Sequence, residues 1–138
     1  MTTNTKPIGV AYEDQNIIGS DFILSDSQLG YTANAQGSVT QLTSKSTAVT
    51  LNKSAGQITM NNAALGATTN VSFTLNNSFI SANDILILTV SGGNATAATY
   101  NCWVNSLSAG SASITLRNIS AGSLSEAIIV NFALIHCV

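Results

Sequence analysis

A chain of 138 residues with 45% hydrophobic content is long enough for one ordinary domain with a real core, or for a smaller domain plus an arm. Only 7% of the residues are charged, far below the roughly 25% of typical globular domains, and Asn, Ser, Thr, Ala and Gly take their place. Four basic residues leave no phosphate-binding footprint, which argues against nucleic acid, and no apolar run approaches the roughly 20 residues of a membrane-spanning helix.

A lone soluble monomer ordinarily carries more charge, so much of this surface is expected to be covered by copies of the chain or by a partner. The charge present is uneven. Residues 1–34 hold Lys6 against Glu13, Asp14, Asp21 and Asp26, or 1 − 4 = −3. Residues 35–138 hold Lys45, Lys53 and Arg117 against Asp84 and Glu126, or 3 − 2 = +1.

The first 34 residues mix Pro7 and Gly9, Gly19 and Gly30 with apolar side chains such as Ile8, Val10, Tyr12, Ile17, Ile18 and Phe22. The breaks specify neither a long helix nor a regular sheet. The apolar residues do not suit a free disordered tail. This combination predicts an extended arm that lies along another subunit, with Pro7, Ile8, Val10, Tyr12, Glu13, Asp14, Ile17, Ile18 and Phe22 as partner contacts. A strand or two folded back onto the same domain is the alternative. The opening MTTNTKPIGV lacks a basic start followed by an apolar stretch, so no export signal is expected.

From residue 35 onward the chain reads as successive short strands. Val39–Leu42, Ala48–Leu51, Gly56–Met60 and Val71–Leu75 alternate apolar and polar residues between clusters of Asn, Ser and Gly. The connection from Asn61 to Asn70 has room for one helical turn. ILILTV, Ile85–Val90, is continuously apolar and predicts a central strand buried on both faces. After the turn SGGNA, Thr99–Asn105 places Tyr100, Cys102 and Val104 on one face and Asn101, Trp103 and Asn105 on the other. Ala112, Ile114 and Leu116 alternate with polar residues, and Glu126–Val138 reads as a long final strand. The fold class predicted is all-β, an antiparallel β-sandwich of jelly-roll-like topology over residues 35–138, preceded by the extended arm of residues 1–34.

Chemistry-bearing residues are sparse. His136 is the sole histidine, and a catalytic role would need an orienting carboxylate and a nucleophile that no local motif supplies. Cys102 and Cys137 form no metal-ligand spacing and read as two small buried hydrophobes. No catalytic residue, metal or cofactor is expected. Trp103 with Asn101 and Asn105 could form a glycan-stacking platform, although a subunit contact is the commoner use of such an aromatic. The N-x-S/T matches at Asn52, Asn70, Asn76, Asn94 and Asn118 follow from composition.

Taken together, TKPIGVAYEDQNIIG (5–19), VTQLTSKSTAVTLNKSAGQITMNNAAL (39–65), VSFTLNNSFISANDILIL (71–88) and SASITLRNISAGSLSEAIIVNFALI (111–135) resemble small virion proteins of tailed bacteriophages of the capsid decoration or cement type. The resemblance spans most of the chain and rests on recurrent phrases, not catalytic motifs. It implies a β-rich homotrimer on the outer capsid surface of the virion, assembled in the host cytoplasm, that clamps neighbouring major capsid proteins. The two cysteines attach to no role in that family. The rival expectation is a glycan-binding receptor-recognition module of a tail fibre or spike.

Overall fold

A computed structural model describes residues 29–137, and the compact unit begins at Tyr31. The nine arm contacts expected between Pro7 and Phe22 lie outside the described residues. A 3-10 turn, Ala33–Ala35, precedes eight strands: β1 Gln36–Thr40, β2 Val49–Thr50, β3 Ala55–Thr59, β4 Asn70–Asn76, β5 Ile85–Gly92, β6 Tyr100–Ser108, β7 Ser111–Asn118 and β8 Ile129–Ile135. They form two four-stranded sheets, ordered β1-β3-β8-β5 (sheet A) and β2-β4-β7-β6 (sheet B).

Both sheets are mixed, which corrects the expectation of a purely antiparallel fold. β1 pairs β3 in parallel, and β2 pairs β4 in parallel, while the remaining pairs are antiparallel. The cause is the path of the chain. β1 to β4 alternate between the sheets, and the pairings are satisfied when each successive strand reverses direction. Odd-numbered strands then run one way and even-numbered strands the other, so the two odd–odd and even–even neighbours must be parallel. The crossover that a parallel pair requires is supplied by a strand of the opposite sheet.

The alternation read in the sequence sets the inner faces. Ile58, Leu86, Val130, Phe132 and Leu134 of sheet A meet Val49, Phe73, Leu75, Ala112, Ile114 and Leu116 of sheet B in one buried cluster, giving a β-sandwich-like body. Burying each Leu, Ile or Phe contributes on the order of 1.5–3 kcal/mol. Close packing at one end depends on Gly56, where a Cβ would come 2.6 Å from Leu51 Cδ2 and 2.9 Å from Phe132 Cε1.

Ile85–Val90 is not a central strand. β5 lies at the edge of sheet A, its inward residues Leu86, Leu88 and Val90 alternating with outward Ile85, Ile87 and Thr89. Ile85 and Ile87 remain 53% and 47% exposed. A continuous apolar run does not distinguish a strand covered on both sides from one whose outer face awaits another surface. The connection from Asn61 to Asn70 holds no helical turn; Leu65 forms a bridge to Leu124 with hydrogen bonds in both directions. The last strand starts at Ile129, later than expected, because Glu126 and Ile128 are engaged by other loops: Ala95 N–H donates to Glu126 Oε1 and Met60 N–H to Ile128 O.

Buried polar side chains organise the loops. Asn118, fully buried, donates through Nδ2 to Leu65 O, Gly66 O and Gly122 O, and its Oδ1 accepts from the N–H and hydroxyl of Ser120. Lys45, 3% exposed, donates to Asn61 O and Glu126 O. Residues just before β1 are also tied in: Tyr31 hydroxyl donates to Leu134 O, and Lys53 Nζ to Asn34 O.

Candidate functional site

Two outward sheet faces and one side-chain cluster hold the residues of functional interest. On sheet B, the bulge between Val104 and Ser106 shifts β6 by one residue against β7, so that Leu107 faces inward beyond it. Before the bulge the predicted alternation holds. Tyr100 is buried and Cys102 and Val104 pack against the core, while Asn101 and Asn105 are exposed. Trp103 is half-buried on the outer face, opposite Thr115.

That face carries a ladder of neutral groups. Ser72 and Thr115 share a hydrogen bond of 2.7 Å across β4 and β7, and Asn105 Nδ2 donates to Thr115 Oγ1 at 2.5 Å and Ser113 Oγ at 3.3 Å. Asn105 is therefore committed to the ladder, leaving Asn101, paired in register with exposed Arg117, as the more available amide beside Trp103. The arrangement offers an indole surface, hydroxyls and amides. It suits contact and hydrogen bonding, and holds no base that would activate a hydroxyl.

On sheet A the outward positions are Gln36, Ser38 and Thr40 of β1; Ala55, Gln57 and Thr59 of β3; Ile129, Asn131, Ala133 and Ile135 of β8; and Ile85, Ile87 and Thr89 of β5. None is charged. Ile85 is paired with Ile135 and Ile87 with Ala133, so the isoleucines form one apolar corner bordered by the Gln57–Asn131 hydrogen bond. The sequence carried a signal for this corner, since apolar residues at both parities of ILILTV require an outer apolar stripe as well as an inner one.

At the same corner His136 meets Asp84. The Asp84 carboxylate also accepts from Ser81 N–H at 2.8 Å, Ser81 Oγ–H at 2.6 Å and Cys137 N–H at 3.2 Å. The Ser81 hydroxyl and amide, joined by the Cys137 amide and His136, hold this carboxyl far below the usual range against the opposing effect of burial. Sequence reasoning did not bring Asp84 to His136. The readable signal was local: Ser81 and Asp84 in SAND have the spacing at which an acidic side chain caps its own turn. Ser81 donates to Asp84 and not to His136, so the three groups do not stand in the nucleophile–base–acid order.

Both cysteines are free, and burial raises the thiol of Cys102. Tyr100 is pushed up to about 12 by burial and by the neighbouring Glu126. A cavity of about 360 Å³ beside Glu126 is otherwise lined by Ala95, Thr96, Thr99, Ser120, Gly122 and Leu124. Among the described residues no group of three or more His, Cys, Asp or Glu is placed to hold a metal ion, and no helix is long and apolar enough to cross a membrane. No protein family, curated protein or solved structure matches the chain.

Proposed function

We propose that this chain is a capsid decoration, or cement, protein of a tailed bacteriophage, which binds the outer surface of the major capsid protein shell as a homotrimer and stabilises the head. The observation that carries the reading is the uncharged outer face of sheet A, with its isoleucine corner, on a domain where sheet B presents a second, nearly neutral face. Two broad faces of this kind suit a module whose work is packing against neighbours. Cyclic arrangement lets contacts that are individually weak act together on a shell.

The finer parts of the reading belong to the same proposal. The part of the 1–34 segment that precedes Tyr31 acts as an extended arm along capsid subunits, and the alternation of early strands between sheets is the feature this fold would share with a jelly roll. The protein works on the virion surface without a cofactor, enzymatic activity, nucleic-acid binding or membrane contact.

Decoration of purified capsids tests the arm. Because Tyr31 and Asn34 are hydrogen-bonded to the domain, the informative truncation removes residues 1–28 and leaves those ties intact. Capsid attachment should fall sharply, and decoration equal to that of the full chain would remove the arm from the reading. The glycan-binding alternative is favoured by Trp103 beside the Asn101 amide, which has no side-chain hydrogen bond among the described residues. It predicts a change in the emission of this sole tryptophan on adding host-surface oligosaccharide, and a copy number set by fibres and not by the capsid lattice.

A further inference from the structure

We infer that the isoleucine corner of sheet A, formed by Ile85, Ile87, Ala133 and Ile135, is a self-association surface whose occupant is the same corner of another copy of this chain. A contact of the same patch on both copies pairs them about a two-fold axis, which goes beyond the homotrimer of the proposed function and does not rest on its number of copies.

Three observations select a second copy. The first is charge. No outward residue of sheet A from β1 to β5 is ionised, so identical faces can approach without the like-charge repulsion that disfavours wrong partners. The N-terminal segment, at −3, is a poorer occupant, because the strands of this face carry no Lys or Arg to receive it and the nearby His136 is engaged by Asp84. The exposed cation Arg117 stands on the outer face of sheet B instead.

The second observation is the edge. β5 is eight residues long and, among the described residues, pairs on one side only, with β8. An edge strand is ordinarily guarded by Lys, Pro or an early bulge. β5 has neither Lys nor Pro, and its irregularity falls between Val90 and Gly92, at the far end from the isoleucines. The apolar corner therefore coincides with the unguarded part of the edge. Ile85, Ile87 and Ile135, at 53%, 47% and 47% exposure, are held outward by rigid pairing and not by a mobile loop.

The third is size. Four strands at ~4.8 Å and about seven residues at ~3.3 Å give the whole outer face of sheet A roughly 19 by 23 Å, or about 440 Å² in plan, an upper bound for a contact centred on the corner. A standard stable interface buries about 800 Å² per partner. One such face therefore supports weak, reversible association, strengthened when copies meet around a symmetry axis or are held side by side on a lattice.

Sedimentation velocity of the full chain, from about 1 to 300 µM, tests this directly. The wild type should associate reversibly, and the double variant Ile85→Asp/Ile87→Asp should raise the dissociation constant at least about 100-fold. Ile87→Thr keeps a β-branched residue in the strand and should raise it by about tenfold with an unchanged circular dichroism spectrum. It serves as the decisive variant if the aspartates impair folding. A wild type that stays monomeric throughout, or an Ile87→Thr protein that associates as the wild type does, overturns the inference. Loss of association by Ile17→Asp/Ile18→Asp as well would make the arm of another copy the occupant and overturn the face-to-face form. The measurement needs no capsid. A monomer that still decorates capsids fails this inference and the homotrimer but leaves capsid attachment standing, whereas an oligomer that depends on Ile87 but never decorates fails the capsid reading alone.

Discussion

His136 Nδ1 lies 3.0 Å from Asp84 Oδ2 and 3.1 Å from Oδ1, joining the segment that follows β8 to the turn that opens β5. The Asp84 side chain is fully buried while the imidazole is 57% exposed, so the carboxylate is the fixed member and the histidine its cover. This pair clamps the end of the sheet that bears the isoleucine corner.

The first prediction follows from the depressed Asp84 carboxyl. A carboxyl whose folded value lies below its unfolded one stabilises the fold above the unfolded value, about pH 3.9, and loses that contribution as pH falls toward the folded value. Asp84→Asn should therefore lower Tm at pH 7, and the gap from the wild type should narrow steadily below about pH 4. Ser81→Ala should reproduce part of the loss, because the Ser81 hydroxyl is the largest cause of the depression. Melting curves from pH 2 to pH 8 check both. A gap that stays constant across that range would rule out ionisation of Asp84 as the source.

Asn118 carries the second. Its amide serves three carbonyls and its oxygen two donors, gathering at one point loop residues that are otherwise bonded only to near neighbours or across single strands of loop, such as Leu65 to Leu124 and Gly66 to Thr69. Removing it takes away five hydrogen bonds, at about 1 kcal/mol net for a typical bond, and costs about 1–3 kcal/mol for the Ser120 N–H, which has Asn118 Oδ1 as its partner. Asn118→Ala should cost about 3–5 kcal/mol by urea denaturation, and Asn118→Asp, which also buries a charge, at least as much. A cost below about 1 kcal/mol would mean that the loops hold without it.

The contrast between Asn118 and Trp103 explains how much the sequence could disclose. Alternation in β4, in β6 before its bulge and in β7 reports which residues face a core, and those strands were readable along with the outward placement of Trp103, Asn101 and Asn105. Alternation says nothing about which strands are neighbours, so the parallel pairs and the edge position of β5 were hidden. Asn118 sits in NIS, a tripeptide that composition alone explains. Its five partners come from positions 65, 66, 120 and 122, and only the fold gathers three of those carbonyls around one amide. The Asp84–His136 pair was hidden for the same reason, its members standing 52 positions apart in the chain.

Two glycines with nearly equal φ give a third prediction. Gly93 has φ +82 and Gly110 φ +80, both in the left-handed region that a side chain disfavours by roughly 1–2 kcal/mol. Their surroundings differ. A Cβ on Gly93 would stand 2.1 Å from Ala127 O, whereas one on Gly110 would meet nothing within 4 Å. Gly110→Ala should cost about 1 kcal/mol, and Gly93→Ala at least ~3 kcal/mol, because the backbone around Ala127 must move. Equal losses in denaturant titrations would show that φ alone sets the cost.

The last prediction concerns Lys45, whose ammonium joins the carbonyls of Asn61 and Glu126 across two loops. Burial lowers its pKa, and the charge of Glu126 only partly opposes this. Lys45→Met preserves much of the side-chain volume but strands both carbonyls, for an expected loss of about 1–3 kcal/mol at pH 7. The sign of the pH dependence is opposite to that of Asp84. A lysine with a lowered folded value binds fewer protons folded than unfolded, so the wild type gains stability as pH rises through the folded value toward about 10.4. Relative to Lys45→Met, the wild-type advantage should therefore widen between pH 7 and pH 10 in parallel denaturant titrations. An advantage that shrinks with rising pH would show that the ammonium is favoured in the fold, with Glu126 outweighing the loss of solvent.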